Sequence, residues 1–172
     1  MEFFIERAVP EDYQLMADVI QLVWQQMERK DWFAADDSEY TSRILQEGKG
    51  IGYKAFSKDS GELAGVFLVS LPGTGEENLG RDIGFSEDKL GMVAHMESIA
   101  IFPEYRGRGL QYTMMQTAEK ELRKLDFRYL MCTVHPDNEF SKNNIIRQGY
   151  KIVMTKEKYQ GHIRDILLKE LI

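Results

Sequence analysis

A chain of 172 residues, 43% hydrophobic and 29% charged, has the size and composition of one globular domain, and a single domain over residues 1–172 is expected. A net charge of −6 and a pI near 5.2 argue against a nucleic-acid or acidic-membrane surface, and no apolar run approaches the ~20 residues a bilayer span needs. Cys132 is the only cysteine, which excludes an internal disulfide; with no secretory pattern in Met1–Arg7, a cytoplasmic location is expected.

In chain order, Phe3 to Ala8 reads as a strand, and Pro10-Glu11-Asp12 opens a helix with acidic residues at its positive end. Met16, Val19, Ile20, Val23 and Met27 form its apolar stripe. A break from Lys30 to Asp37 carries Trp32 and Phe33. A shorter helix through Tyr40, Ile44 and Leu45 follows, stopped by Gly48 and Gly50. Ile51–Ser57 and Leu63–Val69 are predicted strands joined by the turn chemistry of Lys58-Asp59-Ser60-Gly61. Ser70 to Gly91 then loses all period, which predicts a mobile loop bordering a binding site.

The stretch after that loop organises the chain. An apolar strand through Ala94, Met96, Ser98 and Ala100 ends at Phe102-Pro103, and Arg106-Gly107-Arg108-Gly109 turns into a helix. Leu110, Met114, Ala118, Leu122 and Leu125 share its apolar face. A strand, a glycine turn and a helix N-terminus can hold phosphate: the first amides lack intrahelical acceptors, and glycine lets a ligand approach the backbone. Arg106 and Arg108 add positive charge. Downstream come a strand over Phe127–Val134, a helix over Glu139–Gln148 closed by Gly149, and strands over Tyr150–Lys156 and Ile163–Leu171 with a turn near Gln160-Gly161.

The turn is neither a Walker loop, which needs Gly-Lys-Ser/Thr, nor a dinucleotide fingerprint, whose third glycine is replaced by Tyr112. Arg106, Gly107, Arg108, Gly109, Leu110 and Gln111 instead resemble the Gln/Arg-x-x-Gly-x-Gly/Ala turn of the GNAT-type N-acetyltransferases, with Gln111 where a small residue is usual. The preceding Ile99-Ala100-Ile101-Phe102-Pro103-Glu104-Tyr105 is similar to the family's approach to that turn. Asn138, Ser141, Asn144, Ile145, Gly149 and Tyr150 match the spacing of its second motif. The resemblance implies an α/β fold: a mixed, mostly antiparallel central sheet splayed between the fourth and fifth strands, with helices around it and acetyl-CoA as cosubstrate in the splay.

By that resemblance Ile99, Ala100 and Ile101 would line the cofactor with their backbone, residues 106–111 would take its diphosphate, and Asn138 and Ser141 would meet its pantetheine arm. Asn138 is equally a helix cap by residue type. Ile145 stands where many members carry a tyrosine that protonates the departing thiolate. Tyr105, Tyr112 or Tyr150 would have to serve instead, or water.

Acetylating an amine requires removing a proton from it. His95 and Glu97 share a strand face with Ile99 and Ile101, and polar residues are unusual in such a run. Family members often draw their base from this strand, so Glu97 is the first candidate and His95 the second; a buried histidine and a structural ion pair are the bland alternatives. His135 and His162 lack a ligand cluster, and no metal is expected. Cys132 has no paired histidine nearby to activate it. Trp32, Phe33, Asp36 and Asp37 would form either one wall of an acceptor pocket or an ordinary surface loop. The expected activity is transfer of acetyl from acetyl-CoA to a primary amine, small molecule or peptide, with a non-catalytic acyl-CoA sensor as the alternative. The family allows a homodimer; neither nucleic acid nor membrane is expected as a partner.

Overall fold

The computed structural model describes residues 2–33, 37–159 and 161–172. In chain order it runs β1 (Phe3–Arg7), α1 (Tyr13–Gln25), α2 (Ser38–Gln46), β2 (Gly50–Ser57), β3 (Leu63–Ser70), α3 (Glu87–Leu90), β4 (Val93–Ile101), α4 (Leu110–Lys124), β5 (Tyr129–Val134), α5 (Glu139–Arg147), β6 (Lys151–Lys158) and β7 (His162–Glu170). The seven strands are hydrogen-bonded in the order β1-β2-β3-β4-β5-β7-β6. β4 and β5 are parallel, whereas β1–β2, β2–β3, β5–β7 and β6–β7 are antiparallel. The expected mixed sheet is therefore present. The predicted turn residue Gln160 lies outside the described residues.

The chain divides into two compact units. The first holds β1, α1, α2, β2, β3, the end of β4 from Glu97, and α4 as far as Glu119. Met16, Ala17, Val19, Ile20 and Val23 of α1 are buried, as the helical spacing demands, and α1 packs on α2 and β3. Met27 lies beyond the helix end. β3 is buried on both faces, which explains its unbroken apolar run. Gly65 is required there: a Cβ on it would stand 2.6 Å from the Ala100 carbonyl oxygen. Such close passage seats the end of β4 against its neighbour β3.

The second unit holds the 3-10 turn Lys30–Trp32, residues 71–96, and the chain from Lys120 to its end. The parallel ladder here is short, pairing Val93, Ala94 and His95 with Tyr129, Leu130 and Met131, and β5 continues to Val134 against β7. Leu125, counted in the apolar stripe of α4, follows the helix end and is exposed.

The 71–92 segment differs most from expectation. It contains a 3-10 helix at Leu79–Ile83 as well as α3. Leu79 joins Val93, Met131 and Ile166 in a buried cluster, with Ile83, Phe85 and Tyr129 packed against it. Asn78 donates to the Gly73 and Leu90 carbonyls and accepts the Gly80 amide. Asp82 holds Lys156 at 2.6 Å and Lys158 at 2.8 Å. These ties and a buried leucine, worth roughly 1.5–3 kcal/mol, anchor a segment whose sequence reads as a mobile loop. Its order comes from side chains that bond across the loop, which leave no periodic trace in the sequence.

Candidate functional site

In the first unit, the connection from β4 to α4 is built from local geometry. Phe102 bonds the Ala64 carbonyl, Pro103–Tyr105 form a 3-10 turn, and the Arg106 amide bonds the Pro103 carbonyl. The Arg106 Nε donates to the Ile101 carbonyl at 3.1 Å and ties the turn to the strand end. Buried Tyr105 donates its hydroxyl to Glu62 at 2.9 Å, which takes it out of consideration as a proton donor to a leaving group. Gly107 and Gly109 have φ of +71° and +77°, the left-handed region that disfavours a side chain. A Cβ on either would meet nothing within 4 Å, so conformation, not crowding, requires glycine.

The Gly109 carbonyl accepts both the amide and the hydroxyl of Thr113. The amides of Leu110, Gln111 and Tyr112 therefore precede the first intrahelical bond, at the positive end of a 15-residue helix. Arg106 and Arg108 are exposed beside them. Ala100 is fully buried, and Ile99 and Ile101 are half-buried.

Glu97 is half-buried, and the Tyr40 hydroxyl donates to its Oε1 at 3.0 Å. Tyr40 is itself held at its backbone, because Asp37, the α2 N-cap, accepts its amide at 2.7 Å. The Arg43 guanidinium lies 5.8 Å from the Tyr40 ring. Sequence reasoning saw Tyr40 only as a helix residue; its link to Glu97 spans 57 positions and has no local signal.

In the second unit, His95 is buried and its Nε2 accepts the Leu79 amide at 3.1 Å. Burial, reinforced by Lys158 and opposed by Asp82, pushes its pKa down to about 4. The lone pair a base would use is committed to the 71–92 segment, so the ranking of His95 as second candidate base gains no support. Asn138 caps α5, accepting the Ser141 amide at 3.3 Å. Ile145 is buried. Burial pushes the Cys132 thiol up to about 12, where it is no nucleophile.

Of the expected acceptor wall, Trp32, Phe33 and Asp37 are among the described residues. Asp36 lies outside the described residues, and Asp37 is occupied as a helix cap. Trp32 stacks on His135 with ring centroids 6.1 Å apart, and the Arg29 guanidinium sits 4.9 Å from the Trp32 ring. Arg29 also grips Asp31 through two nitrogens, holding its carboxyl at about 2. Buried Arg164 of β7 reaches the Asp31 carbonyl. Arg164 had no signal like that of His95 and Glu97, because it stands in the polar run His162-Ile163-Arg164-Asp165. Among the described residues no three His, Cys, Asp or Glu side chains gather as a metal site would need, and no helix is long and apolar enough to cross a membrane.

The model of the acetyltransferase (GNAT) family matches residues 12–150, most of the chain. The chain belongs to the GNAT acetyltransferase family. Similar solved structures include a GNAT-family acetyltransferase from Streptococcus pneumoniae, 17% identical with a TM-score of 0.71, covering 99% of this chain and 100% of that one. NAA60 of Arabidopsis thaliana, solved with acetyl-CoA, is 14% identical with a TM-score of 0.75 over 99% of each chain. A Bacillus subtilis acetyltransferase solved with CoA is 14% identical with a TM-score of 0.68, covering 99% of this chain and 100% of that one. These likenesses are likenesses of fold. No curated protein is similar enough to count as a match. The seven-stranded sheet with its parallel β4–β5 pair is the GNAT fold.

Proposed function

We propose that this GNAT protein is a single-domain N-acetyltransferase that moves acetyl from acetyl-CoA to a primary amine by direct attack on the thioester. The observation that carries the reading is the Arg106–Gln111 turn, with two left-handed glycines and unbonded-by-helix amides at the start of α4. There the diphosphate of CoA would lie against backbone amides, with Arg106 and Arg108 adding charge. Backbone amides of Ile99, Ala100 and Ile101 would line the acyl end and stabilise the oxyanion. Asn138 serves as a cap through its oxygen, which leaves its amide nitrogen for the pantetheine arm, beside Ser141.

Glu97 takes the acceptor's proton, directly or through water, and Tyr40 fixes the carboxylate in one orientation. Ile145 cannot protonate the leaving thiolate; with a thiol pKa near 8.5, CoA can leave as the thiolate and take its proton from water. The buried Ile145 also favours a second reading, a module that binds acyl-CoA without turning it over. Release of CoA from acetyl-CoA across a panel of amines tests both: steady amine-dependent release is expected. Tight acetyl-CoA binding with no release above the uncatalysed rate across the panel would establish the second reading.

A further inference from the structure

Arg164 is a guanidinium that is only 2% exposed, yet both its hydrogen bonds go to neutral carbonyls. Nη1 donates to Ile163 at 2.8 Å and Nη2 to Asp31 at 2.5 Å. No carboxylate among the described residues forms an ion pair with it. Asp31, whose charge favours that of Arg164 from a distance, spends its carboxylate on Arg29 at 3.0 Å and lies 3.6 Å from the His135 Nε2, and the neighbouring Asp165 spends its own on Thr155 and Lys142. A guanidinium carries five N–H donors, and a buried cation without an anion is costly. The burial itself drives the Arg164 pKa down.

One residue along from the Asp31 carbonyl, a buried donor is unsatisfied. The Trp32 Nε1 is buried and has no acceptor among the described residues. A buried indole N–H normally finds a partner. The Trp32 ring is held by the Arg29 guanidinium and by the stacked His135, so the unmet N–H is not a swinging surface group. A buried cation with no ion-pairing carboxylate among the described residues and a buried N–H with no acceptor thus belong to the same cluster of β7 and the Lys30–Trp32 turn.

We propose that Arg164 and Trp32 form a carboxylate-binding site, with the planar guanidinium taking the ligand's carboxylate and the indole N–H completing it. A carboxylate fits because it matches the guanidinium fork, carries the missing charge, and offers four lone pairs. Asp31 limits the site to ligands whose charge is delivered close to Arg164, because its own carboxylate repels anions arriving near Arg29. The carboxylate could belong to the acceptor amine itself or to a separate effector, and the test distinguishes these sources.

The probes are glutarate and glutamate, with putrescine as the cation lacking a carboxylate, tested on the whole chain by calorimetry without acetyl-CoA. Wild type is expected to bind both carboxylates and not putrescine. Trp32→Phe keeps the ring and loses only the N–H; it should weaken carboxylate binding roughly tenfold or more, since the lost bond is to a charged group. Arg164→Gln should abolish binding; if that variant does not fold, Trp32→Phe decides alone. No carboxylate binding by wild type, or equal binding by wild type and Trp32→Phe, would overturn the proposal. In the turnover arm, a KM for glutamate raised in Trp32→Phe at unchanged kcat assigns the site to the acceptor. Carboxylate binding without acetylation of glutamate assigns it to an effector. The binding arm needs no catalysis, so it stands even if the acetyltransferase reading fails.

Discussion

Two acid–base side chains stand two residues apart on β4 and meet opposite surroundings. His95 is buried, with its lone pair fastened to the amide of Leu79. Glu97 is half-buried and held through one oxygen by a tyrosine from another helix. By alternation alone the two are equivalent candidates. The difference teaches that a polar residue in an apolar strand is explained either by a loop that must be pinned or by chemistry that must be poised. Only its hydrogen-bond partner says which.

The largest effect that would break this comparison is on turnover. Glu97→Gln keeps an oxygen for the Tyr40 hydroxyl but cannot take a proton. It is expected to lower kcat by roughly 10²–10⁴-fold while acetyl-CoA affinity holds. The loss should shrink as pH rises, because more amine then arrives neutral. Wild-type turnover across the pH range would remove Glu97 from the mechanism.

His95 should act on stability instead. Its folded pKa of about 4 lies below the ordinary value of 6.5, so the folded protein holds the neutral form. The unfolded chain takes up the proton first as pH falls. Stability from this group is complete above 6.5 and is lost between 6.5 and about 4, by at most about 3 kcal/mol. His95→Gln can still accept the Leu79 amide and does not titrate. Its denaturation midpoint should fall less steeply over that window, at near-normal kcat. A kcat loss that matches Glu97→Gln would instead move the base to His95.

A smaller effect sharpens the role of the turn. Gly109→Val places a β-branched residue at φ +77°, which costs about 1–2 kcal/mol. The turn relaxes away from that conformation, and calorimetry should show CoA binding weakened roughly tenfold. Unchanged affinity in a folded variant would mean that the diphosphate is not held there. The smallest effect belongs to Tyr40→Phe. Losing one hydrogen bond, about 1 kcal/mol, should reduce kcat several-fold without changing CoA affinity. A larger loss than that of Glu97→Gln would make Tyr40, not Glu97, the central group.

The order of the elements outside residues 71–92, the apolar faces of α1 and α4 apart from Met27 and Leu125 at their ends, and the glycine turn were determined by the sequence alone. Periodicity and left-handed glycines act over a few residues, so local sequence records them. The cap role of Asn138 was equally legible, because it needs only Ser141, three residues on. The tertiary structure decided the rest. It turned residues 71–92 from an unpatterned loop into an anchored segment, gave His95 and Glu97 different partners, and brought Arg164 to the Asp31 carbonyl, next in sequence to Trp32, without an ion-pairing carboxylate among the described residues. Those contacts join positions 16, 57 and 133 residues apart. A side chain's charge and reactivity depend on what burial removes and which donor arrives, and both are supplied by distant parts of the chain.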